Sequence, residues 1–276
     1  VIFVNSLKLC KVYQIITVLT KAKIMNIHRR CYSSLIVYMN RPNPLLTVFR
    51  QAIQTFLPRN DNVNFASSFM KLKENLDKIR ADDVDFDDKF ENERYWMNED
   101  KAPCTYIEIF ENEIINMSIF VLKPGFKMPL HDHPQMHGLL KVISGTVGIR
   151  TFSEIQSGNT NTVIGNFPTD RDNPEKFRSL IAHVTDQKIC DAESESCILT
   201  PEISNFHEIE ALGGPSAFLD ILAPPYSVRL NDYELRECHY YRQVREISKD
   251  TVELEGIRSP QWFFCDTAPY LGPKLS

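Results

Sequence analysis

The chain has 276 residues, of which 43% are hydrophobic and 24% charged, enough apolar material for one large domain or two small ones. The first 60 residues hold nine Lys and Arg and no acidic residue, which leaves 22 basic and 36 acidic residues in the rest, a net charge of −14. This acidic body argues against a nucleic-acid partner, because phosphate binding needs a cationic surface. No apolar run reaches 18 residues, so we expect no membrane span.

Residues 1–43 form a basic extension that we expect to be poorly ordered or to result from an error in the gene assignment. A second interpretation starts at Met25, where basic and hydroxylated residues without acids are typical of a mitochondrial transit peptide. The seven cysteines include no CxxC pair, which favours free thiols in a reducing compartment. The expected location is the cytoplasm, and the mitochondrion is the alternative.

Residues 44–276 are predicted to form a single domain that begins with two helices at about 44–80. The first is predicted over residues 44–57, where apolar residues recur at helical spacing: Leu45, Phe49, Ile53 and Phe56. A second apolar stripe predicts a helix over about 65–80. Both stripes are interpreted as packing surfaces.

From Cys104 the pattern changes to short β-rich runs separated by turn residues, which predicts a barrel over about 103–270. Many short strands without alternating helices predict a mainly β fold, a sandwich or jelly roll. The polar stretch between Ser153 and Ser196 is predicted to be a long loop near the barrel mouth. The predicted strands are TYIEIF, NMSIFVL, GLLKVISGTVGIRTF, SCILT, FHEIEAL, SAFLDIL and HYYRQVREI.

Three of the seven histidines stand within HDHPQMHG, residues 131–138. His131 and His133 are two residues apart, so on a strand their side chains point to one face and can share a metal ion. A pair of this kind is also common on protein surfaces, and alone it is a weak signal.

The surroundings of the pair resemble the first cupin motif, G-x5-H-x-H-x4-E-x6-G. Gly125 precedes His131 by the motif spacing, and Gly145 follows His133 by the motif spacing. The glutamate position of the motif is occupied by Gly138. The resemblance therefore predicts a metal site built from histidines alone.

A third histidine ligand is implied by CILTPEISNFHEIEA, which resembles the second cupin motif and places His207 at its ligand position. The P-x-G that usually precedes this histidine is absent. His137 is expected to turn away after Pro134; the alternative is a place behind the ligands or in the pocket wall. The other competing histidines are His28, His183 and His239.

Several segments together resemble the cysteamine (2-aminoethanethiol) dioxygenase and plant cysteine oxidase family of thiol dioxygenases. They are PLHDHPQMHGLLKVISG, LTPEISNFHEI, AFLDILAPPY, ECHYYR and FFCDTAPYLGPKLS, and CHYYR points to the animal cysteamine dioxygenase branch. The resemblance implies a cupin-like double-stranded β-helix with one Fe(II) per chain on His131, His133 and His207. It implies O2 as co-substrate and a sulfinic acid as product, made from cysteamine or from an N-terminal cysteine of a protein. Oxidised N-terminal cysteine marks proteins for degradation, so the resemblance also suggests oxygen sensing.

Three further features of the sequence are candidate parts of the site. Asp220 lies in an apolar strand, where it is expected to orient the substrate amine or a ligand histidine; the alternative is a buried link to the backbone or to Arg229. Tyr226 is expected at the pocket entrance or in ordinary packing. The family resemblance suggests a thioether between Cys238 and Tyr240; unlinked side chains and a position well away from the metal stay open.

Two other functions remain open at this point. One is a metal cupin that catalyses another reaction, and the other is a cupin that binds a ligand without catalysis. The expected partners are a small aminothiol or a protein N-terminus that begins with cysteine, and the expected oligomeric state is a monomer. The acidic body favours peptides with basic residues downstream of the cysteine.

Overall fold

The computed structural model describes residues 43–57, 64–98, 100–155, 178–229 and 236–275. The predicted extension, apart from its last residue, and with it His28, Cys10 and Cys31, lies outside these ranges. Within them, no helix is both long enough and apolar enough to cross a bilayer.

Both predicted helices are present. Helix α1 spans Pro44–Phe56 and α2 spans Phe65–Leu76, shorter at its end than the apolar stripe predicts. Two 3-10 turns at Ala81–Val84 and Asp88–Glu91 follow, and then one short helix, α3, at Glu93–Trp96.

The strands form two six-stranded sheets. The first has the order β12-β1-β2-β9-β4-β7, and the second is a closed barrel with the order β10-β11-β6-β5-β8-β3. This is the predicted double-stranded β-helix, in which the strands from β2 to β5 and from β6 to β10 alternate between the two sheets. The strands are β1 Cys104–Glu111, β2 Asn116–Leu122, β3 Lys127–Asp132, β4 His137–Ser144, β5 Thr146–Glu154, β6 Ser179–Asp191, β7 Cys197–Leu199, β8 Phe206–Ala211, β9 Ser216–Ala223, β10 Tyr240–Ser248, β11 Thr251–Ile257 and β12 Cys265–Thr267.

The prediction of a long loop between Ser153 and Ser196 is wrong for the second half of that stretch. Residues Ser179–Asp191 form β6, which pairs with β5 on one side and β11 on the other. Most side chains of this strand are at least partly exposed, so its apolar alternation is weak in the sequence. Its backbone partners come from distant segments, which local patterning does not reveal.

Strand alternation divides β9 between two environments. Leu219 and Ile221 point outward into a core shared with helices α1 and α2. Phe218 points inward, into the core between the sheets. Because side chains two apart share a face, Asp220 also points into the interior. The helices therefore cover one side of the first sheet and leave its inner face to the site.

Candidate metal centre

Three histidines converge inside the barrel. His131 lies on β3 opposite its register partner His207 on β8, and His133 follows directly after β3. The ring centroids are 4.6 to 4.9 Å apart. One nitrogen of each ring lies within 4.8 Å of those of the other two. The structure thus brings together the three residues predicted as ligands.

Hydrogen bonds orient two of the rings. His131 Nδ1 lies 2.8 Å from the Pro129 carbonyl and donates to it, which leaves Nε2 as the free lone pair. Tyr226 donates its hydroxyl proton to the Asp132 carbonyl at 2.6 Å, so its oxygen accepts from His133 Nδ1 at 2.8 Å. Both histidines are therefore held in the tautomer that presents Nε2 to a metal.

Burial also keeps the imidazoles neutral. Desolvation lowers the pKa of His131. The pKa values of His133 and His207 are lowered further, because the charge of neighbouring histidines adds to desolvation. All three rings are therefore neutral.

The spacing of the nitrogens fits a shared metal ion. The two Nε2 atoms of His133 and His207 are 3.3 Å apart. Two nitrogens bonded at right angles to one metal at about 2.1 Å would be about 3 Å apart. The donor set therefore fits a transition-metal ion.

No side chain occupies the motif's glutamate position. Gly138 on β4 pairs with Leu199 of β7 and Leu222 of β9. A Cβ at Gly138 would lie 2.7 Å from Leu199 Cγ, so any larger residue requires the buried Leu199 to move. Packing between β4 and β7 thus explains why the position holds glycine.

The interior beside the histidines contains buried polar atoms that lack partners in the described part of the chain. Asp220 is 5% exposed, and burial raises the pKa of its carboxyl to about 7. Its Oδ1, together with Ser118 Oγ and Thr151 Oγ1, has no hydrogen-bond partner in the described part of the chain. Ser118 is the register partner of Asp220, and Thr151 that of His207, so these atoms line the same interior. Such atoms are satisfied only when water or a ligand enters.

Tyr226, Cys238 and Tyr240 meet at one side of the histidines. The Cys238 thiol contacts the hydroxyls of Tyr226 and Tyr240, and burial raises the pKa of that thiol to about 12. The Tyr240 ring centroid is 6.4 Å from that of His131. The alternative that Tyr240 lies well away from the metal site is therefore wrong, because β10 pairs with β3 at His131.

The remaining histidines with described positions lie elsewhere. His137 turns away from the ligand rings and packs against Phe56, Phe65 and Phe69, with a closest ring distance of 4.9 Å to Phe65. The alternative place in the pocket wall is therefore wrong, because His137 starts β4 in the first sheet and faces the helices. His183 is exposed on β6, and His239 bonds to Asp132.

Two residues that support the ligands were missed by sequence reasoning. Asp132, between the ligand histidines, accepts hydrogen bonds from the His239 backbone and from the Tyr241 hydroxyl. Asn205 holds His133 by its backbone, accepting from its N–H at 3.2 Å and donating to its carbonyl at 2.7 Å. Asp132 lies between two ligand histidines in the sequence, and Asn205 lies two residues before the third. This closeness in sequence was the signal that could have identified them.

A double-stranded β-helix with three convergent histidines in its interior defines the class of metal-binding cupins. The family model PCO_ADO matches residues 75–275. The chain belongs to this family, whose members are thiol dioxygenases.

Curated relatives support the same assignment. Human 2-aminoethanethiol dioxygenase is 34% identical over 76% of this chain and 82% of its own length. The mouse 2-aminoethanethiol dioxygenase is 32% identical over 86% of this chain and 98% of its own length. Plant cysteine oxidase 2 of Arabidopsis thaliana is 27% identical, covering 70% of this chain and 62% of its own length.

Proposed function

We propose that this protein is an Fe(II)-dependent thiol dioxygenase that acts on cysteamine and on N-terminal cysteines of proteins. The observation that carries the proposal is the set of three buried, neutral imidazoles with Gly138 where other cupins have a carboxylate. His131, His133 and His207 would hold the iron. Iron bound there would supply the open coordination positions at which a thiolate and O2 react.

The reaction balances without a further reductant. A thiol R–SH and O2 give the sulfinic acid R–SO2H, with both oxygen atoms bonded to sulfur. O2 therefore supplies all the oxidising equivalents. In this chain the protein has to bind the aminothiol, orient it, and accept the proton that the thiol releases.

Asp220 is the group best suited to bind the substrate amine. Its Oδ1 faces the pocket without a partner, and a carboxylate there is stabilised by an ammonium group. A pKa near 7 allows the same oxygen to accept a proton close to neutral pH. Tyr226 acts through His133, whose ring it fixes by the hydrogen bond to Nδ1.

All three histidines come from one chain, so a monomer is sufficient for the site. We place the protein in the cytoplasm, where the described cysteines, all free, would stay reduced. Oxidation of an N-terminal cysteine there would connect the activity to oxygen-dependent protein degradation.

The decisive experiment loads the purified protein with Fe(II) without oxygen and then exposes it to O2 with a substrate. Mass spectrometry should show two added oxygen atoms on cysteamine and on the cysteine of a Cys-initiated peptide. An N-acetylated peptide should react very little, because acetylation removes the basic amine. Iron binding without oxidation of any thiol would instead favour a metal cupin that catalyses another reaction.

A further inference from the structure

Two cysteines lie directly opposite each other where the C-terminal part of the chain joins the first sheet. Strand β12 runs parallel to β1, and Cys265 of β12 is the register partner of Cys104 of β1. The same register continues over the next two residues of each strand. The alignment of the two cysteines is therefore set by backbone pairing.

Hydrogen bonds beside Cys265 keep β12 against β1. The Ala102 N–H donates to the Asp266 carboxylate at 3.2 Å, and the Ala268 N–H donates to the Tyr106 carbonyl at 3.1 Å. These bonds lie in the residues that directly follow Cys265. The two cysteines thus face each other on a backbone that is already fixed.

The spacing of this pair meets the geometric requirement for a disulfide. Neighbouring strands lie about 4.8 Å apart, and residues directly opposite each other point to the same face. A disulfide requires Cα atoms about 4.4 to 6.8 Å apart. Both thiols are free, and Cys104 donates a hydrogen bond to Cys265. A bond between the two sulfurs therefore needs little movement of the backbone.

The two thiols differ in exposure and in acidity. Cys265 is exposed, whereas Cys104 is 0% exposed. The hydrogen bond from Cys104 lowers the pKa of the Cys265 thiol, against the opposite effects of partial burial and of the Asp266 carboxylate. The same hydrogen bond and burial hold the pKa of Cys104 well above its ordinary range. The pair thus combines an accessible thiol that reacts first with a protected thiol that reacts second.

We infer that Cys265 and Cys104 form a redox modification site, at which a low-molecular-weight disulfide such as oxidised glutathione converts the two thiols into an intramolecular disulfide. The Cys265 thiolate attacks one sulfur of the reagent, so a mixed disulfide forms and one thiolate leaves. The Cys104 thiol then loses its proton and attacks the Cys265 sulfur, and the second thiolate leaves. The protein thiols are oxidised by two electrons, and their two protons and electrons end on the two released thiols.

The disulfide fastens a segment that lies close to the metal centre. Phe263, two residues before Cys265, has its ring centroid 5.9 Å from that of Tyr240. Tyr240 in turn lies beside His131, with ring centroids 6.4 Å apart. Because β12 has only three residues, a covalent bond adds substantially to the hydrogen bonds that hold this segment. Oxidation therefore restrains a side chain that packs against Tyr240.

The test incubates the iron-free full chain with oxidised glutathione in the absence of O2. Free thiols are then blocked, and the protein is digested with trypsin for mass spectrometry. The wild type should give one linked pair of fragments that contains Cys104 and Cys265, and excess reduced glutathione should remove the link. Separate fragments at every ratio of oxidised to reduced glutathione would overturn the inference.

Two variants test the order of the steps. Cys104→Ser should retain glutathione on Cys265 as a stable mixed disulfide, because no second thiol displaces it. Cys265→Ser should lose the link and leave the buried Cys104 without glutathione. Glutathione bound to Cys104 in Cys265→Ser, or none on Cys265 in Cys104→Ser, would contradict the assignment of the first reacting thiol.

The matched control is Cys190→Ser with Cys197→Ser, which removes another pair of contacting thiols in the described chain. This variant should form the Cys104–Cys265 link as the wild type does, and oxidation should raise its unfolding midpoint by roughly 5 to 15 °C. Loss of the link in this control, or an unchanged midpoint after linkage, would contradict the inference. Iron and thiol oxidation by O2 play no part here, so a failure of the proposed function would leave these results unchanged.

Discussion

Single side chains around the histidines determine which nitrogen each ring presents. Tyr226 is the clearest case, since its hydroxyl joins the Asp132 carbonyl to His133 Nδ1. Neither bond belongs to the pairing of the sheets, because both are made by a loop residue after β9. The role of Tyr226 is therefore to position a ligand, and its removal should affect metal affinity more than folding.

We predict that Tyr226→Phe weakens Fe(II) binding by roughly 10- to 100-fold, the usual effect of removing a hydrogen bond to a ligand histidine. The ring remains, so packing should change little. Competition with a calibrated chelator measures the affinity, and thermal unfolding of the metal-free protein serves as the control. Unchanged affinity would show that the His133 ring is held by packing alone.

The ligand assignment itself predicts that His131→Ala, His133→Ala and His207→Ala each lose stoichiometric iron. Each substitution removes one of three donors that converge on a single point. His137→Ala should keep full iron content, because His137 packs against the phenylalanines of the helices. Elemental analysis after anaerobic loading measures both results; full occupancy in His207→Ala would remove that residue from the ligand set.

Asp220→Asn should retain iron and lose most turnover, because a neutral amide neither forms an ion pair with an ammonium group nor accepts its proton.

Burial of Asp220 also predicts how the stability of the metal-free wild type depends on pH. The Asp220 carboxyl has a pKa of about 7 in the folded chain and about 3.9 in the unfolded chain. At pH values between these two, the folded state binds more protons than the unfolded state. The wild type therefore loses stability as pH rises from 4 to 7, by at most about 4 kcal/mol.

The neutral asparagine does not have this dependence. Metal-free Asp220→Asn should equal the wild type near pH 4 and exceed it in free energy of unfolding at pH 8. Urea unfolding of both proteins at the two pH values measures the difference. Parallel pH profiles would indicate that the folded carboxyl has an ordinary pKa.

At the scale of elements, a buried lysine connects β4 to the turn between β6 and β7. Lys141 is 0% exposed, and its Nζ donates to the carbonyls of Val142, Ala192 and Ser194 at 2.5 to 3.1 Å. Burial lowers the pKa of this amine. The same turn is held to α2 by Ser196, which donates to Asp77 through both its N–H and its hydroxyl. Lys141 thus helps to fix the turn between β6 and β7, which also contacts the end of α2.

We predict that Lys141→Met lowers the free energy of unfolding by about 3 kcal/mol, because it leaves one buried and two partly buried carbonyls without this donor. Methionine keeps the length of the side chain, so the loss measures the hydrogen bonds. Lys89→Met, on an exposed ion pair with Asp87, should change stability by less than about 1 kcal/mol. Equal effects of the two substitutions would contradict the role of Lys141.

For the whole molecule, the described residues from Pro44 onward contain complete cores of their own. One core joins the helices to the first sheet, and two others fill the space between the sheets and the far end of the barrel. All three proposed metal ligands lie within this part. Residues 44–276 therefore contain what a cupin domain needs for folding and for the site.

A chain that begins at Asn43 is accordingly predicted to fold and to bind one iron. Its unfolding midpoint should lie within about 2 °C of that of the full chain, since no described core residue is removed. Circular dichroism and elemental analysis of both proteins test this. A large fall in the midpoint would show that the first 42 residues belong to the folded domain.

The sequence by itself determined those features that depend on local spacing. Residues two apart on a strand share a face, so His131 and His133 were predicted as a pair, and period-two runs predicted most strands. Helical stripes predicted α1 and α2. The family motifs added His207, which no local spacing connects to the other two.

Only the tertiary structure decided which distant residues meet. β6 is polar on its outer face and depends on β5 and β11 for its hydrogen bonds, so its sequence suggested a loop. His137 is closer in sequence to His133 than His207 is, yet it belongs to the other sheet. Ser118 lies opposite Asp220 because β2 and β9 share one register, and register is fixed by the packing of whole sheets.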